Sequence, residues 1–278
     1  MSADSMQIYD QMSIGTARPL PEEQRGIAHH LIGFLPPDAE YSAACYQRDA
    51  MAAIDTIALR GKQPILAGGT GLYLNSILYE MDFSTVEPDK ALRARLSEEY
   101  ENNPAQLHAR LAQLDPSSAL RIHQNDKKRL IRRLEILESG GEQAYEFRRP
   151  QQKYRIDHIG ICKERKTLYR DIEKRVDLMF ERGLEAEARR IYQKYGPEIP
   201  AFSAIGYKEF LPYFNNEITL EQAKQLIKQN TRRFAKRQLT WFRRESEIQW
   251  FYLEQYESKE KMAQAVVTCL KKRLGREE

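Results

Sequence analysis

Three stretches of the sequence carry residue types that could bind an anionic substrate and move a proton. The first is SADSMQIY at 2–9, where Asp4 follows residues that look like the end of a strand. The second is the glycine-rich GGTG at 68–71, and the third is the arginine-rich TRRFAKRQLTWFRR at 231–244. A carboxylate, a turn with exposed amides and a basic segment suit acid–base chemistry beside a phosphate.

Asp4 is the candidate general base. Ligands of open α/β sheets bind outside the carboxyl ends of the strands, which is where Asp4 falls. A carboxylate held there can accept a proton from a positioned substrate amine. A turn or helix-capping aspartate is an equally ordinary interpretation, so the residue alone leaves both readings open.

The GGTG segment follows a short apolar stretch, QPILA at 63–67, and precedes a helical pattern at 72–79. Amides at such a helix start favour anions or a close approach of ligand. The segment is not a Walker A loop, because G-x-x-x-x-G-K-[ST] occurs nowhere in the sequence. A tight strand-to-helix turn would explain the glycines equally well.

Basic charge is concentrated in the second half of the chain. Residues 1–120 carry 9 Lys and Arg against 16 Asp and Glu, whereas residues 121–278 carry 35 against 24. The stretch 224–244 holds eight basic residues and no acidic one. A solvated helix face is the ordinary explanation, but the interleaved aromatic residues also favour a polyanionic partner. A second basic helix, with Asp126 at its start and Arg129, Arg132 and Arg133 after it, leaves the same two options.

The elements that must position these residues alternate between helix and strand. Ser42 is expected to cap a helix ending near Arg60, and helices alone are expected over 88–138. Further predicted elements are strands at 63–67, 156–162 and 248–253 and helices at 166–182, 184–195, 219–244 and 259–274. The pattern predicts an α/β core of residues 1–86 and 151–278, interrupted by a helical insert at 87–150.

Composition excludes several classes of protein. No apolar run is long enough for a transmembrane helix, and no signal-peptide pattern is present. Cys45, Cys162 and Cys269 are odd in number and far apart, which disfavours a disulfide framework or a zinc site. We therefore expect a cytoplasmic protein without a membrane partner.

Six blocks in order make the sequence recognisable as a whole. They are SADSMQIYDQMSIGTARP, HHLIGFLPPDAEYSAACYQRDA, PILAGGTGLYLNSIL, RVDLMFERGLEAEARRI, AIGYKEF and TRRFAKRQLTWFRR. Together they resemble the bacterial tRNA dimethylallyltransferases, also called tRNA isopentenyltransferases, over essentially the whole chain. Any one block alone would be a weak signal, but six in the family's order are specific.

The resemblance implies transfer of a dimethylallyl group from dimethylallyl diphosphate to N6 of the adenosine on the 3′ side of the anticodon. The implied fold is a P-loop-NTPase-like parallel sheet, of the class that binds nucleotides such as ATP, with an inserted helical tRNA-binding domain. The implied cofactor is Mg²⁺, and the implied partners are a tRNA anticodon stem-loop and a small-molecule diphosphate. The family resemblance also implies a monomer. It assigns Asp4 as the catalytic base and places tRNA contacts at Asp4, Ser5, Met6, Gln7, Thr70 and Arg93. Lys208, Arg232 and Arg237 are candidate diphosphate or RNA contacts, and no metal ligand is assigned in this sequence.

One departure from the family pattern bears on activity. The family has about thirty residues before S-A-D-S, which form the first strand, the phosphate loop G-P-T-A-S-G-K-T and the first helix. This sequence opens at that motif. We therefore expect either that the start codon has been set too far downstream, or that the protein is truncated and binds tRNA with impaired catalysis. An adenine-nucleotide isopentenyltransferase is the further alternative, which the helical insert and the basic helix disfavour.

Overall fold

The computed structural model describes residues 1–81, 83, 86, 89–141 and 149–273. Most of them are helical: α1 Ala43–Leu59, α2 Gly71–Leu78, α3 Lys90–Asn102, α4 Pro104–Leu114, α5 Pro116–Ala119, α6 Lys127–Glu138, α7 Arg165–Glu181, α8 Leu184–Tyr195, α9 Phe210–Phe214, α10 Leu220–Phe242 and α11 Lys259–Arg273. The strands are β1 Tyr79–Glu80, β2 Arg149–Pro150, β3 Ile159–Cys162 and β4 Gln249–Tyr252, and 3-10 turns lie at Pro200–Ser203 and Leu253–Gln255.

Local signals set the ends of the long helices where the sequence predicts them. The Ser42 side chain accepts a hydrogen bond from Cys45 N at the start of α1. Thr219 and Gln222 form a reciprocal capping box at the start of α10, which satisfies two amides that would otherwise lack acceptors. The short elements α5 and α9 were not predicted, and the predicted end of the last helix at residue 274 lies outside the described residues.

The contacts divide the chain into two compact units, Met1–Leu78 with Gln152–Glu278, and Tyr79–Gln151. The first unit is α/β, because it combines helices with a parallel pair of strands in which Ile159 lies opposite Gln249 and Cys162 opposite Tyr252. The two predicted strands at 156–162 and 248–253 are confirmed in shorter form.

The predicted strand at 63–67 is wrong in extent. Only Ala67 takes part in a bridge, parallel to Ser2. Ala67 N donates to Met1 O, and Ala3 N donates to Ala67 O. The pairing ends after Ala3, because the Asp4 side chain accepts hydrogen bonds from the following amides and turns the chain away from the sheet direction.

Two apolar clusters hold the first unit together. One surrounds the stacked rings of Tyr46 and Tyr73, whose centroids are 4.0 Å apart, and it includes the fully buried Ala3. The larger one packs α8 and α10 against the segment after Asp4, with Tyr207 and Phe210 among its fully buried side chains. Both clusters therefore support the backbone that carries Asp4.

A buried carboxylate sits inside the larger cluster. Glu187 of α8 is 4% exposed, and its two oxygens accept hydrogen bonds from the amides of Ser13, Ile14 and Gly15 at 3.0–3.2 Å. The hydroxyl of Tyr207 donates to the same carboxylate. Burial, followed by the charge of Glu187, raises the pKa of Tyr207 well above its usual range, so the phenol remains a donor.

The second unit, Tyr79–Gln151, is a small helical body. Helices α3, α4 and α6 pack around Leu96, Leu111, Leu130 and Leu134, all fully buried. Strands β1 and β2 form an antiparallel pair at its ends in the chain. The sequence places an insert at 87–150, and residues 87, 88 and 142–148 of that range lie outside the described residues.

We predict that Glu187→Ala lowers the free energy of unfolding by about 3 kcal/mol, because three part-buried amides and one buried hydroxyl lose their acceptor. Denaturant unfolding measures the change. The matched control is Glu185→Ala on the same helix, which removes only a partly exposed ion pair with Arg189 and should cost less than about 1 kcal/mol. Equal losses for the two variants would contradict the role given to Glu187.

Candidate functional site

Asp4 lies directly after the bridge that joins Ser2 to Ala67. Its Oδ1 accepts hydrogen bonds from Met6 N at 2.8 Å and from Gln7 N at 3.2 Å. Within the described part of the chain, Oδ2 makes no hydrogen bond, and the residue is half-buried. One oxygen is therefore used to orient the carboxylate, while the other is available to a substrate. The hydrogen bonds confirm Asp4 as a turn residue, and its role as a base stays a prediction.

The GGTG turn lies against the Asp4 segment. Thr70 N donates to Ala3 O at 3.1 Å, and Thr70 Oγ1 accepts from Ser5 N at 2.9 Å. A Cβ at Gly68 would lie 2.4 Å from the Ala3 carbonyl carbon, so only glycine permits this approach. The structure thus brings together Thr70, Ser5 and Asp4, which the sequence separates by 65 residues.

Met6 and Gln7, which follow Asp4, are also held in place by the fold. The Gln7 amide accepts from Ser2 Oγ at 3.0 Å and donates to Thr16 O at 3.1 Å. Met6 packs against the larger apolar cluster. Their side chains fix the turn, so any contact they make with a nucleotide would come from a preformed surface.

Helix α10 lies over the other side of the GGTG turn. Gln238 Nε2 donates to Gly69 O at 2.9 Å, and the indole nitrogen of Trp241 lies 2.3 Å from where a Cβ of Gly71 would stand. Beside these contacts is a cation-lined groove of about 470 Å³, called here the basic groove, lined by Arg233, Lys236, Arg237, Thr240, Trp241 and Arg244. Within one unit, a surface lined by basic side chains therefore adjoins the turn that contacts Ala3 and Ser5.

The candidate diphosphate or RNA contacts differ in whether their side chains are already bound to another residue or are exposed. Arg232 donates to Glu173 of α7 at 2.6 Å, whereas Arg237 lies over the ring of Phe234 and lines the basic groove. Lys208 is exposed on the segment between Tyr207 and the buried Glu209.

Arg93 belongs to the helical unit and does not lie free on its surface. Its Nε is 2.9 Å from Oε1 of Glu135, a carboxylate with no exposed side-chain surface. Asp89 N and Arg132 bond to the same carboxylate. These contacts lower the pKa of Glu135 despite the opposing effect of burial.

Several residues that shape the site were not predicted as site residues from the sequence. Glu187 reads as an ordinary polar position of an amphipathic helix, and Tyr207 as an ordinary core aromatic. Gln238 and Trp241 lie within the quoted basic segment, and their spacing of three places both on one helix face. That spacing was the available clue to a second, non-basic face of α10.

Among the described residues, no group of three or more His, Cys, Asp or Glu side chains could hold a metal ion. Mg²⁺ commonly takes one or two protein oxygens and completes its shell with water and substrate phosphates. The hydroxyl oxygens of Ser5 and Thr70, which are hydrogen-bonded to each other, could supply such a minimal share. In the part of the chain that the structure describes, no helix is long and apolar enough to cross a membrane.

Comparison with known proteins gives a consistent result. A family model described as IPP transferase matches residues 7–245 of the chain. The chain therefore belongs to the IPP transferase family.

Relatives and solved structures agree with this assignment. The chain is 42% identical to a tRNA dimethylallyltransferase of Pelotomaculum thermopropionicum over 97% of this chain and 87% of that protein. It is 45% identical to the tRNA dimethylallyltransferase of Carboxydothermus hydrogenoformans over 96% and 88%. The structure of a tRNA isopentenylpyrophosphate transferase from Bacillus halodurans is 36% identical with a TM-score of 0.73, over 99% of this chain and 88% of that chain. A eukaryotic dimethylallyltransferase acting on tRNA has a TM-score of 0.79 at 26% identity, over 99% and 73%.

We predict that Thr70→Val speeds hydrogen exchange of the Ser5 amide by about 5-fold, because a neutral hydrogen bond contributes about 1 kcal/mol. Valine keeps the shape of threonine and removes the hydroxyl, which accepts from Ser5 N and donates to Ser5 Oγ. Thr70→Ser, which keeps the hydroxyl, should leave the exchange rate near that of the unchanged protein. A Thr70→Val protein with unaltered Ser5 exchange would show that the contact does not hold the turn.

Proposed function

We propose that this chain transfers the dimethylallyl group of dimethylallyl diphosphate to N6 of the adenosine on the 3′ side of the anticodon in tRNA. The observation that carries the proposal is the arrangement of Asp4. One carboxylate oxygen is fixed by two amides, and the other makes no hydrogen bond among the described residues. The GGTG turn, which binds the neighbouring Ser5, adjoins the basic groove. Family membership and the names of the relatives support the reaction class.

The chemistry needs a base and a stabilised leaving group. The adenine N6 amine forms a C–N bond to the first carbon of the prenyl chain, and the C–O bond to the diphosphate breaks. The proton released from N6 passes to Oδ2 of Asp4, and the bonding electrons leave with the diphosphate. An exocyclic amine of adenine is a weak nucleophile, so a positioned base is expected to contribute substantially.

The acceptor base must leave the stack of the anticodon loop before it reaches Asp4. We propose that the flipped nucleotide contacts the surface formed by Asp4, Ser5, Met6, Gln7 and Thr70. Ser5 and Thr70 share a hydrogen bond, so their hydroxyls offer a fixed pair of polar groups to the base or ribose. A preformed turn lowers the entropy cost of ordering the substrate.

The leaving diphosphate requires positive charge. Lys208 and Arg237 are the candidate side chains, since the guanidinium of Arg232 is engaged with Glu173. Mg²⁺, when bound, would neutralise part of the diphosphate charge, and the oxygen ligands nearest the base are those of Ser5 and Thr70. We further propose that the first unit is a P-loop-NTPase-like core and that the helical unit Tyr79–Gln151 is a tRNA-binding insert. Arg93 would contact tRNA from this insert while its side chain is held by the ion pair with Glu135.

Asp4→Asn tests the role of the base with little change in structure. The asparagine Oδ1 can still accept from the amides of Met6 and Gln7, so the turn is retained. We predict a fall in turnover of roughly 10²–10⁴, the usual contribution of a general base. The measurement is prenyl transfer to an anticodon stem-loop RNA from labelled dimethylallyl diphosphate.

Two controls make this result specific. Asp10→Asn, at an exposed position on the same segment, should leave turnover unchanged. AMP offered as acceptor in place of the RNA should be a poor substrate if tRNA is the true one. Normal turnover of Asp4→Asn would remove this residue from the chemistry, and preferential use of AMP would favour an adenine-nucleotide enzyme.

The basic groove generates a separate prediction about RNA binding. Arg237→Ala should weaken binding of the stem-loop and reduce the slope of log K against log salt by about 1, because one phosphate contact is lost. Arg232→Ala is the matched control on the same helix, since its guanidinium is engaged with Glu173 and should release few counterions. Titrations at several salt concentrations measure both. A larger slope change for Arg232→Ala would reverse the assignment.

A further inference from the structure

Helix α10 contacts the GGTG turn through two side chains that are one helical turn apart. The amide of Gln238 donates to the carbonyl of Gly69 at 2.9 Å, and a Cβ at Gly69 would stand 2.0 Å from that amide nitrogen. The indole of Trp241 occupies the space where a Cβ of Gly71 would be. Two glycines and two large side chains therefore form one close-packed contact.

The two contacts differ in kind. The indole N–H of Trp241 is buried and has no acceptor among the described residues, so this residue acts through packing. Gln238 supplies the directional part, because its hydrogen bond fixes where the Gly69 carbonyl points. A neutral bond of this kind is modest in free energy, but it selects one orientation of the turn.

The GGTG turn also fixes the residues on both sides of Asp4, the proposed base. Gly68 packs on the backbone of Ala3, and Thr70 N donates to Ala3 O. On the other side of Asp4, Ser5 N donates to Thr70 Oγ1. A shift of the GGTG turn would therefore move the residues before and after Asp4 together.

Helix α10 is itself anchored at a distance from the turn. Lys224 and Lys228 both lie 2.7 Å from Asp177 of α7, and Arg232 lies 2.6 Å from Glu173 of the same helix. The first part of α10 is thus tied to α7, and the last part rests on the GGTG turn. A helix held in this way can serve as a rigid support for the turn.

We propose that Gln238 and Trp241 are positioning residues for the reaction, which hold the GGTG turn and through it the carboxylate of Asp4. The inference rests on the proposed function in assigning the proton transfer to Asp4. Gln238 does not need to touch the substrate for this role, whereas Trp241 also lines the basic groove. Because Lys236 and Arg237 directly precede Gln238 on the same helix, the surface that would dock RNA phosphates and the support of the base are parts of one element.

Gln238→Met tests the proposal, because methionine keeps the length and neutrality of glutamine and removes the N–H donor. We expect kcat for the stem-loop RNA to fall about 10-fold while KM for the RNA stays within about 2-fold, since the base is misplaced and the docking surface is kept. The control is Gln225→Met on the same helix, where an exposed amide bonds only to Glu221, and kcat should not change. A Gln238→Met protein whose loss lies wholly in KM, or which keeps full kcat, would overturn the proposal.

A second measurement does not depend on prenyl transfer. The chain has two tryptophans, and Trp250→Phe leaves Trp241 as the single tryptophan whose fluorescence can be followed. Adding Gln238→Met to that background should shift the Trp241 emission to longer wavelength, because the loosened turn admits water to the indole. An unshifted spectrum would show that Gln238 does not hold the turn. If Trp250→Phe alone shows no transfer while the emission shift is present, the proposed function fails and the support of the turn stands.

Discussion

The buried carboxylate of Glu187 is the interaction on which the first unit depends most. It accepts hydrogen bonds from three consecutive amides at 13–15 and from the hydroxyl of Tyr207, all within an apolar cluster. A carboxylate has about four acceptor sites, which is enough for four donors in so small a volume. Because the loop at 13–15 is fixed, the Thr16 carbonyl is in place to bind the Gln7 amide, and the turn that holds Asp4 follows from that. A charged group far along the chain therefore determines the geometry of a turn near its beginning.

The basic residues of the chain serve two different purposes, which the net charge alone does not separate. Arg93, Arg232, Lys224 and Lys228 neutralise carboxylates within their own units and so contribute to the fold. The side chains of the basic groove instead line an open surface. The excess of positive charge after residue 120 thus overstates the surface available to RNA, and the position of each charge relative to Asp and Glu matters more than the count.

Much of the architecture could be predicted from the sequence because it depends on local signals. Ser42 and Thr219 cap their helices as predicted, and the periodic pattern of α8 gives its bounds without error. The order of six motifs predicted the family, which the family model and the relatives confirm. The strand at 63–67 failed because an apolar run needs a partner along its length, and of these residues only Ala67 is bridged, to Ser2. The roles of Glu187 and Gln238 could not be predicted, since each depends on contacts more than 165 residues apart in sequence.

The glycines of the GGTG turn restrict which amino-acid substitutions this region can accept during evolution. Gly69 and Gly71 are each filled by a side chain of α10, and Gly68 by the backbone of Ala3. A methyl group at Gly71 would meet the rigid indole of Trp241, so it could be accommodated only if that side chain moved or became smaller. At Gly69 it would meet the end of the flexible Gln238 side chain, which could move aside at the cost of its hydrogen bond to the Gly69 carbonyl. No such compensation exists for position 68, because a backbone cannot be shortened by substitution, and glycine there is the most restricted choice in the turn.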